Sequence, residues 1–377
     1  MLAIVFKQDN PDFPRDIWTA EILPIPGPEG GGHADGPIGS GPFKFGYRKE
    51  ERAVGLVANE KYYRGRPPLD GVVFTFQPDK EKSWARLLSG KTDLVTGIHS
   101  QDYEIMKHYR NRFLFSTTPD PSLTVLLYNT HHPLFMDPRV RMAFAHAIDT
   151  TYIRDVILRG MGVVPAGMMG FYSSFRNLEL KPVSFDPEKA VHLLEEAGWT
   201  YDRESRCLFK NGKPFEFTLF LFRENQFHQR LGQYLRLCLN DLGIKVHVRP
   251  VPFEELGQCY WHNDDFDAVV TDLVDILAKD IYLLELWCPL EGRKAGAGCF
   301  EDPRVTALIL QAIREREPTS KRRILWEVDS LLTSLQPATP LCQRASLNAL
   351  SRRFQFPHSF SWIYARFHFW KISPSAR

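Results

Sequence analysis

Residues 228–248 constrain the fold of this chain more than any other stretch. Leu231, Tyr234, Leu235, Cys238 and Leu242 recur at a spacing of three and four, which puts them on one side of a helix. Gly243 follows, the residue type that most readily adopts the left-handed conformation closing a helix. Ile244, Val246 and Val248 then alternate, the period of a strand with one covered face. Residues 215–222, FEFTLFLF, predict a strand ahead of the helix. Helix, glycine and strand in that order indicate an α/β unit.

Similar punctuation recurs along the chain. Asp186-Pro187 starts a helix with Ala190, Leu193, Leu194 and Ala197 on one side, closed by Gly198. In 128–149, YNTHHPLFMDPRVRMAFAHAID, Asp137 is placed to accept the free N–H groups of a first turn, and Pro138 suits the first helical position because it lacks a donor. Val140, Ala143, Phe144, Ala147 and Ile148 complete an apolar stripe, and the helix is expected to run on into a second segment at 152–158. Upstream, 43–47, 53–59 and 71–78 read as strands, 80–88 as a helix, and 92–96 and 123–128 as further strands. Downstream, strands are expected at 266–271 and around 339–342, helices at 303–313 and 321–332, and an aromatic run occupies 354–370.

A chain of 377 residues suggests two or three packed units. A formal charge of +2 leaves no general nucleic-acid footprint. No apolar run reaches the length of about 18 residues that a membrane span needs. The opening MLAIVFKQDNPDFP lacks the long apolar run and cleavage pattern of a secretion signal, and the following Pro/Gly-rich residues read as a loop or loosely held crossover. Six scattered cysteines do not make a disulfide scaffold; Cys288 and Cys299, flanking a Gly-rich loop, are candidates for one local disulfide, and Cys238 for a buried thiol.

Catalytic and metal patterns are weak. LSGKT contains GKT, but Ala85 stands where a phosphate loop needs its first glycine, and a helix precedes it instead of a strand. His33 and Asp35 lie in a flexible loop without a second base or nucleophile. Cys259-x-x-His262 and His131-His132 lack a four-ligand spacing. The tail RRFQFPHSFSWIYARFHFWK interleaves basic and aromatic residues, as single-strand nucleic-acid platforms do. The near-neutral net charge and the aromatic pattern at Tyr364, Phe367 and Phe369 favour strand packing or a lobe-closing tail instead.

The wording of several segments is more specific than their periodicity. GSGPFKF at 39–45, NEKYYRGRPPLDGVVF at 59–74, LLSGKTDL at 87–94, FDPEKAVHLLEEAGW at 185–199, LNDLGIKVHVRPV at 239–251 and the 128–149 segment resemble, in order, the extracytoplasmic solute-binding proteins that serve ABC importers of peptides and nickel. The resemblance implies an α/β, two-lobed, type II periplasmic-binding-protein-like fold, with residues 1–122 in lobe I, 123–336 in lobe II and 337–377 returning to complete lobe I. The family normally carries roughly 150 more residues ahead of the 39–45 segment, so the N-terminal lobe is expected to be incomplete. The implied function is non-enzymatic. A peptide or similar small polar solute is bound between lobes and delivered to an ABC permease pair, by a monomer without a cofactor, in the periplasm or at the outer face of the membrane. A cytosolic ligand-sensing domain, or a truncated relative that no longer binds, is the alternative.

The resemblance also places candidate ligand contacts. Asp275 falls at the aspartate of the family's GWxxD segment, although Thr271 and Asp272 stand where glycine and tryptophan are expected. Arg223 lies near the arginine that dipeptide-binding relatives use for a carboxylate; a solvated strand-end charge is its alternative use. Tyr128 and Asn129 either present hydrogen-bonding groups at the lobe crossing or pack and satisfy the hinge. Trp287 and Trp261 are candidate cleft aromatics that could equally be core residues, and Arg141 is expected in a structural salt bridge.

Overall fold

The computed structural model describes residues 41–49, 53–75, 80–98, 105–170, 173, 175–261, 266–274, 286–288, 297–356 and 372–375. The chain divides into two compact units, one covering Pro119–Arg344 and the other combining the preceding described residues up to Thr118 with those from Ala345 onward. The unit limits at 118/119 and 344/345 fall inside two long strands.

The unit built from both ends of the chain begins with an antiparallel meander of β1 (Phe43–Lys49), β2 (Ala53–Ala58) and β3 (Gly71–Thr75). Helix α1 (Lys80–Leu88) and the short β4 (Leu94–Val95) follow. Strand β5 (Phe113–Tyr128) runs far longer than the expected 123–128. Pro119 and Pro121 conceal its first half in the sequence, because a strand interior rarely tolerates a missing donor.

In the Pro119–Arg344 unit, helix α2 (Pro138–Ala147) is capped by the Asp137 carboxylate, which accepts the Arg139 N–H at 2.9 Å. It stops before Ile148. Asp149 caps a separate turn, Thr150–Tyr152, that passes into a π-turn at Ile153–Ile157. After β6 (Gly162–Val163), α3 (Pro187–Glu196) starts from Asp186 as expected, and a small antiparallel sheet follows from β7 (Thr200–Asp202), β8 (Cys207–Lys210) and β9 (Lys213–Pro214). Then come β10 (Glu216–Phe222), α4 (Gln226–Asp241), β11 (Lys245–Val251), α5 (Phe253–Trp261), β12 (Ala268–Val274), α6 (Pro303–Arg314), α7 (Pro318–Leu335) and β13 (Ala338–Ser351). Gly243 closes α4 at φ +81°. Strand β13 also outruns its expected span of 339–342, because Gln343, Arg344 and Asn348 break the apolar pattern that marks a strand.

The sheet order in this unit is β11-β10-β12-β5-β13. Strand β10 runs parallel to both its neighbours, and β5 runs antiparallel to β12. Alternation then divides the side chains into two cores. Leu126, Val270, Leu219, Leu221 and Val246 meet α2, α3 and α4 on one face. Leu123, Val125, Val269, Phe220 and Val251 meet Leu256 of α5 together with α6 and α7 on the other. Helix α4 sits so close that a Cβ at Gly232 would lie 2.5 Å from Leu221 Cδ2. Cys288 and Cys299 are buried thiols that form no disulfide, and Cys238 is half-buried.

Candidate functional site

The connections of β10 define the place where a ligand can enter. From β10 the chain crosses to β11 through α4 on one face, then returns past β10 to β12 through α5 on the other. The carboxyl end of β10 therefore feeds α4 on one face, and the next described residues after β12, 286–288, lie in the core of the other. In open α/β sheets this divergence leaves the crevice in which ligands bind.

At that edge the α4 face of the sheet changes character. Leu126 and Val270 continue along their strands, with period two, to Thr124 and Asp272. Arg344 takes the same edge position on β13, so a polar row crosses three adjacent strands. Thr124 Oγ1 donates to Asp272 Oδ1 at 2.6 Å, and Arg344 Nη2 donates to Asp272 Oδ2 at 3.0 Å. His228, in the first turn of α4, brings Nε2 to 3.3 Å from Asp272 Oδ2 without the alignment of a hydrogen bond. The Arg344 guanidinium lies 5.2 Å from the centre of the Phe227 ring. Burial opposes ionisation of Asp272, but His228, Arg344 and Thr124 outweigh it and hold the carboxyl at about 2. The nearby Cys342 thiol is pushed up to about 12, mainly by burial, and is not a nucleophile at neutral pH.

Arg223 occupies the same edge, one residue beyond β10 and exposed; its N–H donates to Val251 O at 2.8 Å. Beside it Phe222 meets the exposed Phe253 edge-on, with ring centres 5.7 Å apart, so the edge also carries an apolar lip. Asp275 lies outside the described residues, as do the side chain of Trp261 and all of His33, Asp35 and His262.

Tyr128 and Asn129 are at the opposite edge. Tyr128 pairs with Ala268, the first residue of β12, four residues or about 13 Å along the strand from Asp272. Its ring is wholly enclosed among Phe135 and Phe144, and its hydroxyl bonds Thr339 Oγ1 at 2.8 Å. Asn129 Nδ2 donates to Phe266 O, and its Oδ1 accepts the His131 N–H at 3.0 Å. The structure therefore gives these two residues packing and turn-satisfying contacts, and it does not bring them together with Arg223. Trp287 is fully enclosed in the second core, its ring 6.1 Å from Phe300, with no hydrogen-bond partner for Nε1 among the described residues.

Arg141 corrects the expectation of a salt bridge. Its guanidinium is buried and donates to the carbonyls of Leu335, Gln336, Phe135 and Met136. The last carbonyls of α7 lack intrahelical donors and carry the negative end of the helix dipole, so a cation satisfies them without a carboxylate. Burial pulls its pKa down to about 10, still charged at neutral pH. Among the described residues no group of three or more His, Cys, Asp and Glu side chains is arranged to hold a metal ion.

The profile of bacterial extracellular solute-binding proteins, family 5 (middle part), matches residues 2–292. The oligopeptide-binding protein AppA of Bacillus subtilis is 31% identical over 238 residues, which cover 62% of this chain and 43% of AppA. Heme-binding protein A of Haemophilus influenzae is 32% identical over 220 residues, covering 58% and 38%. The chain thus spans about two-fifths of the length of these curated relatives. The crystal structure of NikZ from Campylobacter jejuni in complex with Ni(L-His) superposes with a TM-score of 0.79 at 19% identity, covering 97% of this chain and 75% of NikZ. The AppA–nonapeptide complex superposes with a TM-score of 0.72 at 25% identity, covering 91% and 68%. The fold is the α/β fold of the type II periplasmic-binding proteins, and the chain belongs to the bacterial extracellular solute-binding proteins of family 5.

Proposed function

We propose that this chain is the solute-binding component of an ABC importer, outside the cytoplasmic membrane, binding a peptide or similar small polar solute for delivery to a permease pair. Family membership carries the reading, because the match extends over most of the chain and not over one motif. The polar break at the carboxyl edge of β10 and β12 supports it. The break puts fixed hydrogen-bonding groups on one face of this edge while Phe222 and Phe253 form an aromatic lip on the other, and small-molecule sites combine polar and aromatic groups to hold and orient a ligand. Peptides come first among the solutes because AppA is both the relative matched over the greatest length cited above and one solved with a nonapeptide. Isothermal titration calorimetry with alanine peptides of graded length, nickel–histidine and heme tests the reading. Saturable heat with a peptide is expected, and a flat titration with all three classes sinks it.

A further inference from the structure

Asp272 and Arg344 form a pair whose two members are unequally used. The carboxylate has a partner at each oxygen: Oδ1 accepts from Thr124, and Oδ2 accepts from Arg344 and faces His228. The guanidinium has five N–H donors, of which Nη2 is engaged by Asp272, while its buried Nε–H has no acceptor among the described residues. Both His228 ring nitrogens are likewise buried without a hydrogen bond. The Arg344 side chain is 29% exposed, that of Asp272 18% and that of His228 4%, so solvent reaches the cluster at the ion pair and not at the imidazole. Phe227 and Asp272 fix the plane of the guanidinium, which removes much of the ordering cost of a bidentate contact.

We propose that Arg344 is the anchor for a carboxylate of the solute, with Asp272, Thr124 and Phe227 as its positioning residues. A planar guanidinium matches a carboxylate through two parallel N–H···O bonds. Charge argues for a monoanion: Asp272 already neutralises Arg344, and the exposed Arg223, one residue beyond β10, adds one further guanidinium to this edge. A doubly charged phosphate would meet too little opposing charge. The solute is therefore a carboxylic acid, and for a peptide the free C-terminus is the group bound here. This assignment rests on the solute-binding reading above and adds the chemistry of one end of the ligand.

The test uses the full chain, with tri-alanine and tri-alanine amide as probes in calorimetry and in 1H–15N spectra of the arginine Nε–H groups. The free acid is expected to bind about tenfold or more tighter than the amide, the size of one charged hydrogen-bonded contact. It is also expected to shift the Arg344 Nε–H resonance, identified by its loss in Arg344→Lys. Asp272→Asn combined with Arg344→Gln removes both charges together, leaves no unpaired buried ion and is expected to abolish the preference for the acid. Equal affinity of acid and amide, or a preference that survives in the folded double variant, overturns the anchor while leaving peptide binding intact. No heat from either probe overturns the peptide reading and the anchor with it.

Discussion

The two edges of the central sheet each hold an arginine among buried groups, and they use it in opposite ways. At the edge where β5 ends, Arg141 spends its donors on four backbone carbonyls, and Tyr128 and Asn129 are satisfied by Thr339, Phe266 and His131. At the carboxyl edge of β10 and β12, the Arg344 Nε–H and both His228 ring nitrogens have no hydrogen-bond partner among the described residues, although His228 Nε2 lies 3.3 Å from Asp272 Oδ2. The first edge is closed chemistry, whose groups are consumed in holding α2, β5 and the end of α7. The second is held in place but incomplete. Burial alone therefore does not distinguish the two arginines; what differs is whether their donors are taken up by the protein.

Removing Arg141 is the harshest test of that distinction. Arg141→Met keeps roughly the bulk of the side chain but takes the donor from four backbone carbonyls, those of Phe135 and Gln336 buried, and is expected to cost on the order of 3–5 kcal/mol in urea unfolding. Arg141→Lys should lose less, since an ammonium keeps the charge and three donors. A loss below about 1 kcal/mol for the Met variant would show that the carbonyls find other partners, and the contrast between the edges would weaken.

A buried carboxylate and a half-buried one sharpen the contrast through pH. Asp329 of α7 accepts the Met168 N–H at 2.8 Å, and a Cβ at Gly167 would lie 2.5 Å from its Oδ1. Burial raises its pKa from 3.8 to about 6 against the lowering effect of the Met168 and Met169 amides. The folded state therefore holds the proton more tightly, so this contribution is fully present below pH 3.8 and lost as pH rises through about 6, a change of about 3 kcal/mol. Asp272 has the opposite sign. Burial alone would raise its pKa, but His228, Arg344 and Thr124 lower it to about 2, so its contribution of roughly 2 kcal/mol is present above pH 3.8 and lost as pH falls through about 2. Stability profiles of Asp329→Asn and Asp272→Asn should each lose one of these slopes, Asp329→Asn between pH 4 and 6 and Asp272→Asn between pH 4 and 2. Profiles that keep both slopes would place the titrations elsewhere.

The sequence made one edge more readable than the other. Caps and closures declare themselves locally: Asp137-Pro138, Asp186-Pro187 and Gly243 each fix a helix end within a few residues. The α/β alternation was legible for the same reason. Pairing across the sheet was not, since Arg344 meets Asp272 over a separation of 72 residues and no local pattern joins them. One signal was available. In AVVTDLV the acid occupies the position where the alternation of Ala268 and Val270 calls for a third apolar side chain on the same face. A carboxylate in an apolar register requires a partner, and that expectation alone marks Asp272. Strands β5 and β13 were read short because Pro119, Pro121, Gln343 and Arg344 interrupt their pattern, and those interruptions include the polar site itself.

Tyr128 offers the gentlest test. Its hydroxyl makes a buried bond to Thr339, which in turn donates to Gln336 Oε1 at 3.1 Å, while the ring stays fixed between Phe135 and Phe144. Tyr128→Phe deletes one hydroxyl without opening a cavity, and it leaves Thr339 with its Gln336 partner. The expected loss is therefore about 1 kcal/mol, the net worth of one buried hydrogen bond. Because Tyr128 stands at the closed edge, its solute affinity should match that of the parent chain. A variant of unchanged stability but weakened affinity would reverse the assignment of the two edges, since a hydroxyl enclosed by aromatic rings can reach a solute only if that edge opens.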